Sequence, residues 1–170
     1  MERSIASKLA PTAGAEPQDS APVPLKIEPR RVVFDTNVLV SLYVFADSRF
    51  APLRENIENG KWQAITNDIC FGEFRRVLGY PMFDLSGEQQ QAALEAYDTS
   101  AKRLDGLPRT AIVDLPRCRD RDDQKFLELA RDSSVDWLVT ADKALLRLAR
   151  RDKLRGLFRI LTPEVALTGT

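Results

Sequence analysis

The apolar run Val32-Val33-Phe34 stops at Asp35, and Thr36-Asn37 then lead into a second apolar segment, Val38-Leu39-Val40. A buried parallel strand ends in this way, hydrophobic on both faces and delivering a carboxylate to the mouth of an α/β sheet. The chain contains no histidine and only two cysteines. That leaves no Ser-His-Asp triad, no Cys-His pair and no His-based zinc site. Chemistry on such a chain runs on carboxylates, and carboxylates gathered in one place hold a hard divalent cation such as Mg2+ or Mn2+.

The rest of the chain continues the alternation. Strands are expected over 31–35, 62–66, 111–115, 137–140 and 158–161, with helices over 38–46, 49–59, a stretch opened by Asn67 or Asp68 and closed before Gly79, 86–104, 124 onward and 143–151. Leu53 and Ile57 lie four apart on one helical face, and Gly60 stops that helix. Ser86 and Gln89 have the spacing of a capping box. Strands alternating with helices make the expected fold an α/β, Rossmann-like three-layer domain around a mostly parallel five-stranded sheet.

Residues 1–30 carry five of the ten prolines among Ala and Ser, with little bulky side chain to bury. They are read as a disordered extension, and the folded domain as 31–167. The longest apolar stretch, 38–46, is far short of the roughly 20 residues that span a bilayer. The N-terminus shows no apolar signal region, and Cys70 and Cys118 are too few for a disulfide framework. A cytoplasmic protein without a membrane partner is expected. With 25 basic and 25 acidic residues the formal charge is zero, which excludes a uniformly basic nucleic-acid binder but not a local basic patch.

Ligands and catalytic groups gather beyond the carboxyl ends of parallel strands. Asp35 ends the first strand, the Asp120/Asp122/Asp123 turn is expected to follow the third, and Asp142 follows the fourth by two residues. Glu73 lies about two turns into the helix after the second strand, from where its carboxylate can reach the same crevice. Each has a plain structural alternative: helix N-caps for Asp35 and Asp142, a solvated turn for 120–123, an exposed helix position for Glu73. Together at one edge they would repel one another, and a bound cation relieves that repulsion.

These segments resemble the PIN-domain nucleases. The resemblance is carried by Val33-Phe-Asp-Thr-Asn-Val38, Glu73-Phe-Arg-Arg-Val-Leu78, Asp120-Arg-Asp-Asp-Gln-Lys-Phe-Leu127, Leu138-Val-Thr-Ala-Asp-Lys-Ala-Leu145 and Ile160-Leu-Thr-Pro163, in the family's order over roughly residues 31–167. The nearest likeness is to the branch described as toxin components of bacterial toxin–antitoxin pairs. The resemblance implies an acidic pocket for Mg2+ or Mn2+ and hydrolysis of RNA. Asp35, Glu73, Asp123 and Asp142 then stand as the four catalytic acids, with Asp35, Asp123 and Glu73 toward the metal and Asn37 and Thr140 bordering the pocket. The third acid stays open among Asp120, Asp122 and Asp123. Related chains often carry an acid where Gln124 stands, and Ala141 and Ala144 replace a Gly and an Asp often seen beside the fourth acid. Asp123 is preferred because it opens a helix, with Asp120 in reserve.

From Lys143 to Arg159 seven cations face one acid, Asp152. This surplus suits a phosphate backbone, and Arg147, Arg150 and Arg151 are its candidate RNA contacts. The apolar helices at 38–59 and 86–104 are candidate surfaces for a homodimer or an antitoxin helix, although simple core packing is the favoured explanation of them. Phosphatase and receiver-domain readings fail on residues: Asn37 stands where a dehalogenase-like phosphatase needs a second Asp, and 160–163 lacks the receiver's lysine. A PIN-like module that binds RNA or protein with weak or no catalysis is the remaining alternative.

Overall fold

In a computed structural model the described residues are 28–106 and 113–169. The N-terminal extension lies outside them apart from its last three residues. Five parallel strands form one sheet in the order β3-β2-β1-β4-β5. They are β1 (Arg30–Phe34), β2 (Trp62–Thr66), β3 (Ala101–Arg103), β4 (Trp137–Val139) and β5 (Arg159–Leu161). The chain builds outward from β1 on one side and then returns to build on the other. The β1/β4 seam is therefore the point at which strand order reverses, where open α/β sheets hold their ligands. In that seam Phe34 pairs with Val139 and Val33 with Leu138.

Side-chain alternation divides the core into two layers. Val32, Phe34, Trp62, Ala64, Trp137, Val139 and Leu161 face one side. There they meet α1 (Thr36–Tyr43), α2 (Ala51–Glu58), α3 (Asp68–Leu78), α4 (Gly87–Ser100) and the end helix α7 (Pro163–Thr168). Val33, Ile65, Leu138 and Ile160 face the other side, against α5 (Gln124–Asp132) and α6 (Lys143–Leu148). This is the expected three-layer α/β architecture, with a sheet that is parallel throughout. Among the described residues no helix is long and apolar enough to cross a membrane.

Local chemistry accounts for the ends of the elements. Asn67 caps α3 by accepting from the Cys70 N–H at 2.9 Å, which satisfies one of the orphan donors of the first turn. Ser86 and Gln89 close a reciprocal capping box at the start of α4. Phe71, Phe74 and Leu78 recur at helical spacing on α3 and are buried. Phe74 meets Tyr97 of α4 edge-on, with ring centroids 5.7 Å apart.

Several expected boundaries are corrected. The third strand is not at 111–115. Val113–Leu115 is not strand, residues 111–112 lie outside the described set, and β3 instead follows α4 directly. That helix therefore ends at Ser100 rather than at 104. The reason is that β3 is a three-residue edge strand whose Lys102 and Arg103 are exposed. Such a strand shows no buried alternation and reads as the charged end of a helix. Helix α1 ends at Tyr43, before Ala46, which adopts φ +45°. Helix α6 ends at Leu148 rather than 151. Pro163 does not merely follow β5 but opens α7, with Thr162 capping it. The acidic turn at 120–123 consequently follows an irregular segment instead of a strand.

Candidate active site

Asp35 leaves β1 directly into the strand-order reversal, and its backbone N–H donates to the Val139 carbonyl at 3.0 Å. Among the described residues it is the only carboxylate that is buried, at 3 % exposure. It occupies the N-cap position of α1, yet its side chain does not cap the helix. Helix capping by itself therefore does not explain this acid. Instead its Oδ2 accepts from Thr140 Oγ1 at 2.7 Å. Thr140 is fully buried at the end of β4, and the same hydroxyl oxygen accepts from the Asp142 N–H at 2.9 Å. One threonine thus links the two strand ends. Burial pushes the Asp35 carboxyl above its ordinary value; the Thr140 hydroxyl and the Asn37 backbone N–H oppose this, and nearby Asp142 and Glu73 push it further up.

Asp142 differs from Asp35 in use. Its Oδ1 accepts from the N–H groups of Ala144 at 2.6 Å and Leu145 at 3.0 Å, so it caps α6 while standing beside Asp35. Glu73 reaches the crevice from α3. Its Oε1 accepts from Thr36 Oγ1 at 2.8 Å, and its Oε2 is paired with the Lys125 ammonium, with Arg76 more distant at 3.8 Å. Asp123 precedes α5 without capping it. Its carboxyl is pushed up to about 6, by partial burial first and then by Asp35, Asp120 and Asp142, against the pull of Lys125. Asp120 is exposed, and its Oδ1 accepts from the Asp122 N–H at 2.9 Å, which shapes the turn. Asn37 is also exposed; its carbonyl accepts from Ser41 Oγ at 3.1 Å.

The structure therefore brings Asp35, Glu73, Asp123, Asp142 and Thr140 to one edge. Gln124 is turned away from them. Its side-chain oxygen accepts from the Cys118 N–H at 2.7 Å and its amide donates to the Pro116 carbonyl at 3.3 Å, pinning the irregular segment to α5. Arg147, Arg150 and Arg151 are exposed but distant: α6 starts at the acidic edge and runs back to the start of β5, so its basic end lies at the opposite edge of the sheet. Sequence reasoning missed Thr36 and Lys125. Their signal was position alone, one beside the strand-end acid and the other two residues after Asp123.

The chain matches the PIN domain over residues 31–144. It belongs to the PIN-domain family. No curated protein matches it. PIN domains are metal-dependent nucleases as a class, so a phosphodiester hydrolase is the coarse activity that membership carries. The matched span includes Asp35, Glu73, Asp123 and Asp142 and ends just beyond the last of them.

The donors here suit a hard cation. They are oxygen ligands, and both the Asp35 and Asp123 carboxyls are held above their ordinary range by burial and like charge. The nearby thiol of Cys70 is pushed up to about 12, chiefly by burial, and so stays neutral. Among the described residues no three acidic, cysteine or histidine side chains close into a metal-binding group. Lys125 supplies positive charge at the Glu73 limb instead.

A pH dependence follows. An acid whose folded pKa is raised contributes stability that is full below its unfolded pKa and lost as pH rises through the folded one. Asp123 moves from 3.8 to about 6, and Asp35 moves in the same direction. In EDTA the PIN domain should lose stability between about pH 4 and 6.5. The share of Asp123, discounted for its partial exposure, is on the order of 1 kcal/mol. Thermal melts of Asp123→Asn across that window should be flatter than those of the wild type; equal slopes would remove Asp123 from the account.

Proposed function

We propose that this PIN domain is a Mg2+- or Mn2+-dependent endoribonuclease, and that it acts as the toxin of a toxin–antitoxin pair. The observation that carries the nuclease reading is Asp35: a carboxylate buried at the strand-order reversal, with like charges around it. A fold holds such a group at a cost of several kcal/mol unless a counter-charge arrives. In this reading Asp35 and Asp123 hold the cation, with Glu73 and Asp142 at its margin. Asn37 and Asp120 border the pocket. When bound, the cation lowers the pKa of water at the site and offsets charge on the scissile phosphate.

The protein's own residues do the rest. Thr140 fixes the orientation of the Asp35 carboxylate through its hydroxyl, and such outer contacts change metal affinity or activity by about 10- to 100-fold when removed. Thr36 orients Glu73 in the same manner. Lys125 neutralises Glu73 and can turn its ammonium to a phosphate oxygen entering the crevice. The toxin role and an antitoxin partner rest on the likeness of the motifs to that branch of the family, and a homodimer rests on the apolar helices at 38–59 and 86–104.

A second reading has its own observation. Gln124 stands where related chains often carry an acid, and its amide is committed to backbone groups of 116 and 118. A PIN domain that binds RNA or a protein partner with weak catalysis accommodates that exchange. Incubation of purified protein with end-labelled single-stranded RNA, in Mn2+, in Mg2+ and in EDTA, separates the two. The nuclease reading expects internal cleavage with either metal and none in EDTA. Intact RNA under every condition favours the binding module.

A further inference from the structure

Beside the acidic crevice lies a cavity of about 700 Å3, formed where the irregular segment 113–123 folds over α5. Its wall carries Arg117, Arg119, Arg121, Lys125 and Arg131 against two acids, Asp114 and Glu128. Two of these cations are engaged. Arg131 pairs with Asp132 at 2.7 Å and donates to the Val113 carbonyl, and Lys125 pairs with Glu73. The exposed Arg117, Arg119 and Arg121 form no ion pair among the described residues. Arg117 lies near Asp114, whose carboxylate is taken by Lys153.

The position of this wall matters more than its charge count. Gln124 and Lys125 line the cavity, and through Asp123 and Glu73 they adjoin the acids. At the other end Arg117 also lines a second cavity, of about 550 Å3, with Arg150, Arg151 and Lys153. The basic end of α6, remote from the acids by itself, is thus joined to them through 117–121. Arg117, Arg119 and Arg121 alternate along the chain with the exposed Asp120 and Asp122, and each unpaired guanidinium can engage a phosphate of a single strand with two parallel hydrogen bonds.

We propose that Arg117, Arg119 and Arg121 form the track along which the phosphate backbone of single-stranded RNA enters the acidic crevice, with Arg150 and Arg151 as its distal extension. This rests on the nuclease reading for its direction but not for its existence. Backbone contacts of this kind bring affinity without sequence preference.

The test is fluorescence anisotropy with a labelled oligoribonucleotide, on the full chain in EDTA, across about 50–200 mM salt. The triple variant Arg117→Gln, Arg119→Gln, Arg121→Gln is set against a control that removes the same charge elsewhere, Lys61→Gln, Arg75→Gln, Lys102→Gln. The track predicts affinity about 10- to 100-fold weaker in the first variant, with a log–log salt slope shallower by about 2. The control should stay within about twofold of the wild type. Equal losses in both variants, unchanged affinity in the first, or no RNA binding by the wild type would overturn the track. The same preparations given Mn2+ separate the two claims. RNA held through the strip yet never cleaved sinks the nuclease and leaves the track standing. Cleavage with full affinity in the triple variant does the reverse.

Discussion

Asp35→Asn is expected to lower metal-dependent RNA cleavage by roughly 1,000-fold while leaving the fold at least as stable as the wild type. A ligand that anchors a catalytic cation contributes several kcal/mol to the transition state, and each 1.36 kcal/mol is tenfold in rate. The stability half of the prediction comes from the protein alone. Burial and like charge already push the Asp35 carboxyl up, so the ionised group opposes folding at neutral pH. An Asn side chain is neutral and still offers Thr140 an acceptor in place of Oδ2. Cleavage rates with Mn2+, together with thermal melts in EDTA at pH 7.5, read both halves. Undiminished cleavage in Asp35→Asn would move the active site elsewhere, and a large drop in melting temperature would make Asp35 structural.

Phe74→Ala carries the largest expected loss of stability. Phe74 is fully buried on α3, edge-on to Tyr97 and 6.5 Å by ring centroid from Tyr43. Truncation removes its burial and leaves a cavity between the rings of Tyr97 and Tyr43, a change that costs about 3–5 kcal/mol. In a chain of this size that lowers the melting temperature by roughly 10 °C. Glu73 is the neighbouring residue on the same helix, hydrogen-bonded to Thr36 at 2.8 Å. A displaced α3 should therefore weaken cleavage as well. Urea unfolding measures the first effect, and a loss under about 1 kcal/mol would contradict the packing described.

Where the chain's signals are local, they were legible. The apolar run into Asp35, the strand 62–66 (Trp62–Thr66), the Asn67 cap and the Ser86–Gln89 capping box each follow from neighbours within a few residues. Where a feature depends on which surface lies opposite, sequence reading went astray. Residues 101–103 form a strand only because β2 offers its free edge, with Ala64 opposite Ala101 and Thr66 opposite Arg103. Nothing in Ala101-Lys102-Arg103 encodes that partner. The apolar pattern at 113–115 reads as a strand, but Val113 and Asp114 are exposed beside the cavity and only Leu115 is buried.

The candidate site divides along the same line. Sequence alone determined which groups the candidate site can offer: with no histidine, and with Asp35 and Asp142 just past strand ends, they are carboxylates, and the alternation of strands and helices implies the shared edge. Tertiary structure alone decided how each acid is employed. Asp35 and Asp142 look alike as Asp residues at strand-to-helix turns, yet one is buried against Thr140 and the other caps α6. Gln124 and Lys125 are adjacent in the chain, yet one turns to backbone groups of 116 and 118 and the other to Glu73. Arg117 alone lines both the cavity beside α5 and the one at the basic end of α6 among the cavities described. The physical reason is that composition and period are properties of a few residues in a row, whereas burial, charge coupling and hydrogen-bond partners join residues far apart in the chain. The Thr140–Asp35 hydrogen bond spans 105 positions, and folding alone brings its two ends together.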